Sequence, residues 1–389
     1  MPSAASGYRS LLRIPGAAAF FLTAAVGRVG LAMTGLGLVW LLHARTGCYG
    51  AAGLATAGFS LAEALIGPNL ARLIDRFGQT RVLPFCLLAH GVAIAGVLVS
   101  TTPATAIASA TCAGAAVPQL GACSGARWAH LLRGQRADEL PTAFSLESLA
   151  NATAFLLGPV LVTTLGAAGD AAVASAIAAA LIVSGGAALA IQRRTAPPPV
   201  YKHAARTHPK DSLLRPEFLR LALLNLAIGL YFGTMGVSVS AFATQHGVPD
   251  AAAPIIAAAS LSGLCSGWFY GLRRHHAPAR RQLVIAAAYL TGTALLLPFA
   301  PSAIWLGAAV ILTEAAVPPT LVLLNVLTEN SVYPTVLTQA FTWNNSASAA
   351  GSALAAFLAG RVADALGASA AFAVAPAAGL ALLALATSA

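Results

Sequence analysis

From Gly16 to Thr387 the sequence breaks into twelve apolar stretches. A helix that crosses a bilayer needs about 20 mostly apolar residues, and these stretches have that length. The spacing predicts spans near Gly16–Leu42, Gly50–Ala71, Val82–Thr101, Ala104–Ala126, Thr142–Leu165 and Ala171–Ile191. Six more are predicted near Leu219–Thr244, Ala252–Leu272, Leu283–Phe299, Ala303–Leu327, Val336–Gly360 and Ala368–Thr387. Only 9% of the 389 residues are charged and 58% are hydrophobic. A soluble chain would be about a quarter charged, so the solvent expected for this surface is lipid. Strand alternation is absent, and alanine and leucine dominate, which favours helices over a barrel.

The net charge of +10 raises the possibility of a nucleic-acid partner. The positions of the charges exclude it. With the N-terminus inside, every Lys and Arg except Arg28, Arg45 and Arg361 falls on inner segments. That is the positive-inside bias, so orientation accounts for the basic balance. The expected location is the plasma (inner) membrane with both termini cytoplasmic. No cleavable signal is read, because the first apolar stretch is long enough to span and Arg28 interrupts it. The five cysteines show no CxxC or Cys/His spacing, so neither a disulfide framework nor a metal site is expected, and no cofactor is implied.

The longest polar stretch, Gln192 to Phe218, is rich in proline and charge and lacks periodicity. It divides the chain into an N-terminal six-helix unit (1–192), a cytoplasmic linker (193–218) and a C-terminal six-helix unit (219–389). The two units resemble each other at an offset of 200 residues. "SLAEALIG" from Ser60 aligns with "SLSGLCSG" from Ser260, and "AAVP" at Ala115–Pro118 recurs at Ala315–Pro318. "AFSLES" from Ala143 loosely matches "AFTWNN" from Ala340. Parallel six-span repeats are a known transporter architecture, with the substrate site between the halves near the midplane.

The segment "IGPNLARLIDRFGQTRV" gathers Arg72, Asp75, Arg76 and Arg81 between spans 2 and 3. With the two six-helix halves and the basic linker, it resembles the major facilitator superfamily. That family's motif A runs roughly G-x-x-x-D-R-x-G-R-R. The matching positions here are Ala71, Asp75, Arg76, Gly78 and Arg81. The sequence departs at Ala71, Gln79 and Thr80, and the second copy carries His275 where Asp75 would stand. The resemblance implies an all-α polytopic fold of about 12 membrane helices in two pseudo-symmetric bundles. It further implies a monomeric transporter of a small molecule that is not an enzyme, working by alternating access. It also implies that Asp75 bridges to the start of span 11 and to the inner end of span 4, where Arg127 is the local partner; the competing reading of Arg127 is a solvated arginine of the positive-inside pattern. "FLLGPVLV" in span 5 resembles part of motif C through Gly158 and Pro159, which favours export over import. The competing reading is a packing glycine beside a kink.

Ionisable groups in a bilayer core are costly, so each needs a reason. Arg28, Glu63, His90 and Glu314 lie near span centres. Glu63, Gly67, Ala71 and Asp75 follow at i+4, a stripe drifting about 40° per step, so Glu63 is placed on the small-residue face. Arg28 is read as an anion or substrate anchor, or as a charge partner, with Glu63 the structural candidate. Glu314 precedes Pro318 and Pro319 by one turn, and its repeat counterpart is Gly114. It is read as the proton-coupling or cation-binding carboxylate, the alternative being a group that holds a kink. His90 is read as packing, and Glu147 as a carboxylate favouring the start of span 5. Gln119, Asn225, Tyr231, Trp305, Trp343, Asn344 and Asn345 are the uncharged cavity candidates for an amphipathic ligand, with Trp305 the best candidate for the interfacial belt. The expected partners are therefore a small-molecule substrate, protons and the lipid bilayer. The expectation is proton-coupled export. The alternatives are import of a nutrient or anion, and a membrane enzyme or sensor.

Overall fold

A computed structural model of the chain describes residues 6–167, 171–200, 213–273 and 275–388. Lys202, Arg206 and Lys210 of the expected linker, and Arg274, lie outside the described residues. The elements run α1 (Ser6–Leu12), α2 (Ala17–Thr46), α3 (Tyr49–Phe77), α4 (Gln79–Val99), α5 (Pro103–Ala115), α6 (Leu120–Leu132), α7 (Leu140–Ala167) and α8 (Ala171–Ile191). They continue with α9 (Pro216–Gln245), α10 (Ala252–Leu272), α11 (Ala279–Ala294), α12 (Ala303–Glu314), α13 (Val317–Ser331), α14 (Leu337–Leu366), α15 (Ala368–Ala371) and α16 (Val374–Thr387).

Among the described residues, twelve helical segments are long and apolar enough to cross a membrane, at the twelve stretches expected. In hydrocarbon every backbone N–H and C=O must be satisfied within the segment, and helices alone do this without a closed barrel. The outer surface agrees with that solvent. Phe85 is 74% exposed and Ile304 88% exposed, among many large apolar side chains that water would penalise. Helix starts are set by local chemistry. Thr102 and Thr105 form a reciprocal capping box ahead of α5, and the Ser302 hydroxyl accepts from the Trp305 amide at the start of α12.

Two expected boundaries move, with consequences. Helix α3 continues past Ala71 to Phe77, so Asp75 and Arg76 occupy its last turn instead of a loop. Gly78 then joins α3 to α4 with φ of 95°, a left-handed backbone that glycine adopts without strain. Helix α7 begins at Leu140, so Glu147 lies two turns inside the bundle and not at a helix start.

The repeated "AAVP" segments are helix breaks. The fourth span is interrupted between α5 and α6, and the tenth between α12 and α13. Pro118 and Pro318 lack the N–H that would continue the ladder. Gly114, just before the first break, is packed so closely on the Phe59 backbone that a Cβ would collide with it. At the equivalent position of the second half stands Glu314, and the facing residue is Gly263.

Helices within each half meet through small residues. In the second half α9 and α14 approach at Gly229, Gly233 and Gly351, where an added Cβ would strike the opposite backbone. Gly233→Ala should therefore cost about 1–3 kcal/mol through overpacking against the Ser352 carbonyl. Gly236→Ala, which meets nothing nearby, should leave the thermal-unfolding midpoint unchanged or slightly higher. Equal midpoints for the two variants would contradict this packing.

Candidate functional site

In the first half, Arg28 of α2 forms an ion pair with Glu147 of α7, and both are under a tenth exposed. The second carboxylate oxygen of Glu147 accepts from the Ser124 hydroxyl at 2.6 Å and from the Trp128 indole N–H at 2.8 Å, both on α6. Three helices thus share one carboxylate. This corrects the expected Arg28–Glu63 pair, because the partner is Glu147, and Glu147 is no helix-start residue. Arg28 cannot serve as a free anion anchor while this pair stands. Ser124 and Trp128 are one turn apart on one helix face, the signal that could have located the node.

The second half holds a neutral counterpart. Asn344 aligns with Glu147 in the AFSLES/AFTWNN repeat, and its Nδ2 donates to the Thr328 hydroxyl at 2.8 Å, with Thr328 aligned to Trp128. Asn344 is therefore buried in the packing, as is Asn225, which donates to the Leu221 carbonyl of its own helix. Buried His90 of α4 bonds the Ala113 carbonyl of α5 through Nδ1 at 2.9 Å.

Glu314 ends α12 at the helix break. The hydroxyl of Tyr231, fully buried on α9, donates to its Oε2 at 3.0 Å, and Gly263 of α10 leaves room for its stem. Among the described residues no cation pairs with Glu314 or with Glu63. The repeat positions are complementary. Glu63 on the second span matches Gly263 on the eighth, while Gly114 on the fourth matches Glu314 on the tenth. Each half carries one such carboxylate, on opposite members of the helix pair. Gln119 lies at the break of the fourth span, its Nε2 donating to the Val117 carbonyl, and sits against Gly67, one turn from Glu63, where Thr342 of α14 also approaches. Trp343 and Asn345 are exposed and Trp305 is half-exposed, so they do not join the Tyr231–Glu314 cluster.

The halves close against each other at the end of the bundle that carries the basic turns. There Asp75 accepts hydrogen bonds from the Thr338 and Gln339 amides, at 3.3 and 2.9 Å. These are among the first amides of α14, and a carboxylate at a helix N-terminus is held by unpaired N–H groups and the helix dipole. Across the bundle, Ser145 and Thr142 of α7 donate to the Gly267 and Gly271 carbonyls of α10. Tyr8 of α1 donates to the Trp268 carbonyl at 3.0 Å. Between these two seams the repeat-related rings of Phe144 and Phe341 pack edge to face, 5.7 Å apart.

Arg127 is not the partner of Asp75, contrary to expectation. It is fully buried, and its guanidinium donates to Gln79 Oε1, Thr195 Oγ1 and the Leu189 and Gln192 carbonyls. Gln79 in turn donates to the Cys123 carbonyl at 3.1 Å. The departure from motif A at position 79 is thus the residue that receives Arg127. Of the other motif positions, Ala71 is fully buried, and exposed Arg76 lies over the Phe77 ring. Arg81 is exposed and has partners of its own. Gly158 of α7 sits on Ala32 of α2, with Pro159 in the same helix.

Asp75→Asn removes the charge from the α14 N-terminus. The expected shift is about 1–2 kcal/mol toward opening of the basic face. A pair of spin labels across that face should show a population of longer distances raised several-fold. Unchanged distances would deny Asp75 a latch role.

Among the described residues, twelve helices able to cross a membrane, two pseudo-symmetric halves and polar groups at helix breaks define a polytopic membrane transporter. A family model for the Major Facilitator Superfamily matches residues 20–356, and the chain belongs to that family. No curated protein matches the sequence. Among solved structures, the human organic anion transporter MFSD10 (TETRAN) aligns with TM-score 0.75 and 18% identity, over 95% of this chain and 98% of that one. A bacterial homologue of the iron transporter ferroportin, in an outward-facing state, aligns with TM-score 0.75 and 13% identity over 95% and 98%. The transporter FucP in its outward conformation aligns with TM-score 0.72 and 13% identity over 96% and 98%. At these identities the likeness is one of fold. The chain is an integral membrane protein with a transporter fold.

Proposed function

We propose that the protein exports a small amphipathic molecule, preferentially a cation, in exchange for protons. The observation that carries this is Glu314, a carboxylate at a helix break whose one described hydrogen bond comes from Tyr231 and which has no described cationic partner. Such a group holds either a proton or a cationic substrate, and competition between them couples the two. Glu63 adds a second carboxylate of like sign. Arg28 is neutralised by Glu147, which removes support from the anion-import reading. The organic anions named for the human neighbour therefore stay with that protein.

Export rests on the motif C resemblance at Gly158 and Pro159. Orientation rests on the positive-inside bias, which puts the basic face and both termini in the cytoplasm of a plasma membrane. The described cross-half bonds lie at that face, which matches an outward-facing state, the state named for two of the structural neighbours. One chain carries both halves, so a monomer suffices for rocking about the midplane. Asp75 and the α7–α10 hydroxyls would break and reform in each cycle.

The test is a proteoliposome assay with an imposed pH gradient and a panel of lipophilic cations, matched anions and neutral compounds. Gradient-driven movement of cations alone is expected. Movement of the anions alone, or movement indifferent to the gradient, would refute the proposal. A cysteine placed at Arg72 tests orientation, since the reading expects labelling from the cytoplasmic side.

A further inference from the structure

Helix α1 is too short to span anything, yet it is fastened to a span. Tyr8 and Leu11 are buried, and Tyr8 stacks on Trp268 of α10 with ring centroids 4.7 Å apart. Its hydroxyl also donates to the Trp268 carbonyl at 3.0 Å. Beside this joint lies a groove of about 460 Å³, lined by Tyr8, Arg9, Leu12, Arg13 and Trp268. Arg9 lies in the last turn of α1 and Arg13 is the first residue after it, and both are exposed. Neither forms an ion pair among the described residues. Glu139, which meets α1 through Ser10, is already held by both arms of Arg136, at 2.8 and 2.7 Å. Two guanidinium groups without an ion-pair partner among the described residues thus frame one groove at the end of a membrane helix.

We propose that this groove binds the headgroup of an anionic phospholipid, and that the bound lipid reinforces the closed basic face. Guanidinium forks match phosphate oxygens in pairs. Trp268 lies in the penultimate turn of α10 and is 47% exposed, the position of an indole at headgroup depth. Leu12 and that ring give the groove an apolar wall, which suits the glycerol and acyl end of a lipid and not a free anion. A lipid held there bridges α1 to Trp268. It presses together the two sides that Tyr8 joins, on the same seam as Ser145 with Gly267 and Thr142 with Gly271. This inference concerns the gate and does not depend on what is transported or in which direction.

The experiment uses the full chain in vesicles of phosphatidylcholine, with and without phosphatidylglycerol. Retained lipid is counted by native mass spectrometry after mild extraction. Each basic residue near a membrane surface contributes to anionic-lipid binding, so Arg9→Gln with Arg13→Gln should weaken phosphatidylglycerol retention roughly thirty-fold. Phosphatidylcholine retention should not change. Arg280→Gln with Arg281→Gln removes the same charge elsewhere on the basic face and should retain phosphatidylglycerol. A second readout is labelling of a cysteine at Leu149, which packs against Gly267, with the native cysteines replaced. Phosphatidylglycerol should slow labelling in the parent protein and not in the Arg9/Arg13 variant. Equal loss in both double variants would mean diffuse attraction and overturn the site. Displacement of the lipid by inorganic phosphate at comparable concentration would make it a soluble-anion site and overturn the lipid assignment.

Discussion

Arg28→Leu is expected to be the most damaging single substitution in the transmembrane region for stability. It leaves Glu147 buried and charged, with only Ser124 and Trp128 as donors. Removing one partner of a buried pair costs about 3–5 kcal/mol, because the remaining charge is uncompensated. The variant should show a sharply lower thermal-unfolding midpoint in detergent and a poor yield of folded protein. Glu147→Gln added to Arg28→Leu should recover most of the loss. Glutamine keeps a carbonyl for Trp128 and removes the stranded charge. By contrast, Glu63→Gln should leave stability close to the parent, since Glu63 has no described partner to lose. If Arg28→Leu is as stable as the parent, or if Glu63→Gln is the damaging change, the ion pair is with the wrong residue.

Glu314→Gln is expected to abolish gradient-driven transport while leaving the fold intact. Each coupled proton lets a one-unit pH gradient drive about ten-fold accumulation of substrate. The parent should reach that level, and the glutamine variant should show no accumulation beyond passive equilibration. Folding should survive, because glutamine still accepts from the Tyr231 hydroxyl and no ion pair is broken. Tyr231→Phe removes one hydrogen bond, an effect of about 0.5–1.5 kcal/mol. Transport should therefore fall about three- to ten-fold with coupling retained. The two variants separate a group that carries the proton from a group that orients it. Retained accumulation in Glu314→Gln would assign coupling elsewhere, and Glu63 would be the next residue to replace.

Much of the fold can be read from the sequence because membrane physics is local. A span needs only length and hydrophobicity, and the twelve stretches satisfy it one at a time. The repeat was also legible, and the structure gives "AAVP" a meaning as a helix break in both halves. The candidate site divides differently. The sequence offers Glu314 and Tyr231 as separate candidates, and the structure brings them together although 83 positions separate them. The sequence marks Arg28 as costly but does not reveal its partner, because spacing alone puts Glu147 at a helix start. Starting α7 at Leu140 carries Glu147 into the bundle beside α2 and α6. The resemblance places Asp75 at the start of span 11, where the α14 amides do meet it, but it also offers Arg127 as the partner, and that pairing does not form. The structure satisfies Arg127 with Gln79, Thr195 and two carbonyls, and satisfies Asp75 with helix amides. Which partner a buried charge takes depends on helix rotation and depth. Neither is encoded in spacing along one span.

The most direct test of the central claim is proton release on substrate binding. The parent protein is mixed in weakly buffered detergent solution with the best-transported cation from the panel, and released protons are read with a pH-sensitive dye. If Glu314 holds either a proton or the substrate, the parent releases protons on binding and Glu314→Gln, at saturating compound, releases none. Equal release from both proteins would contradict the account.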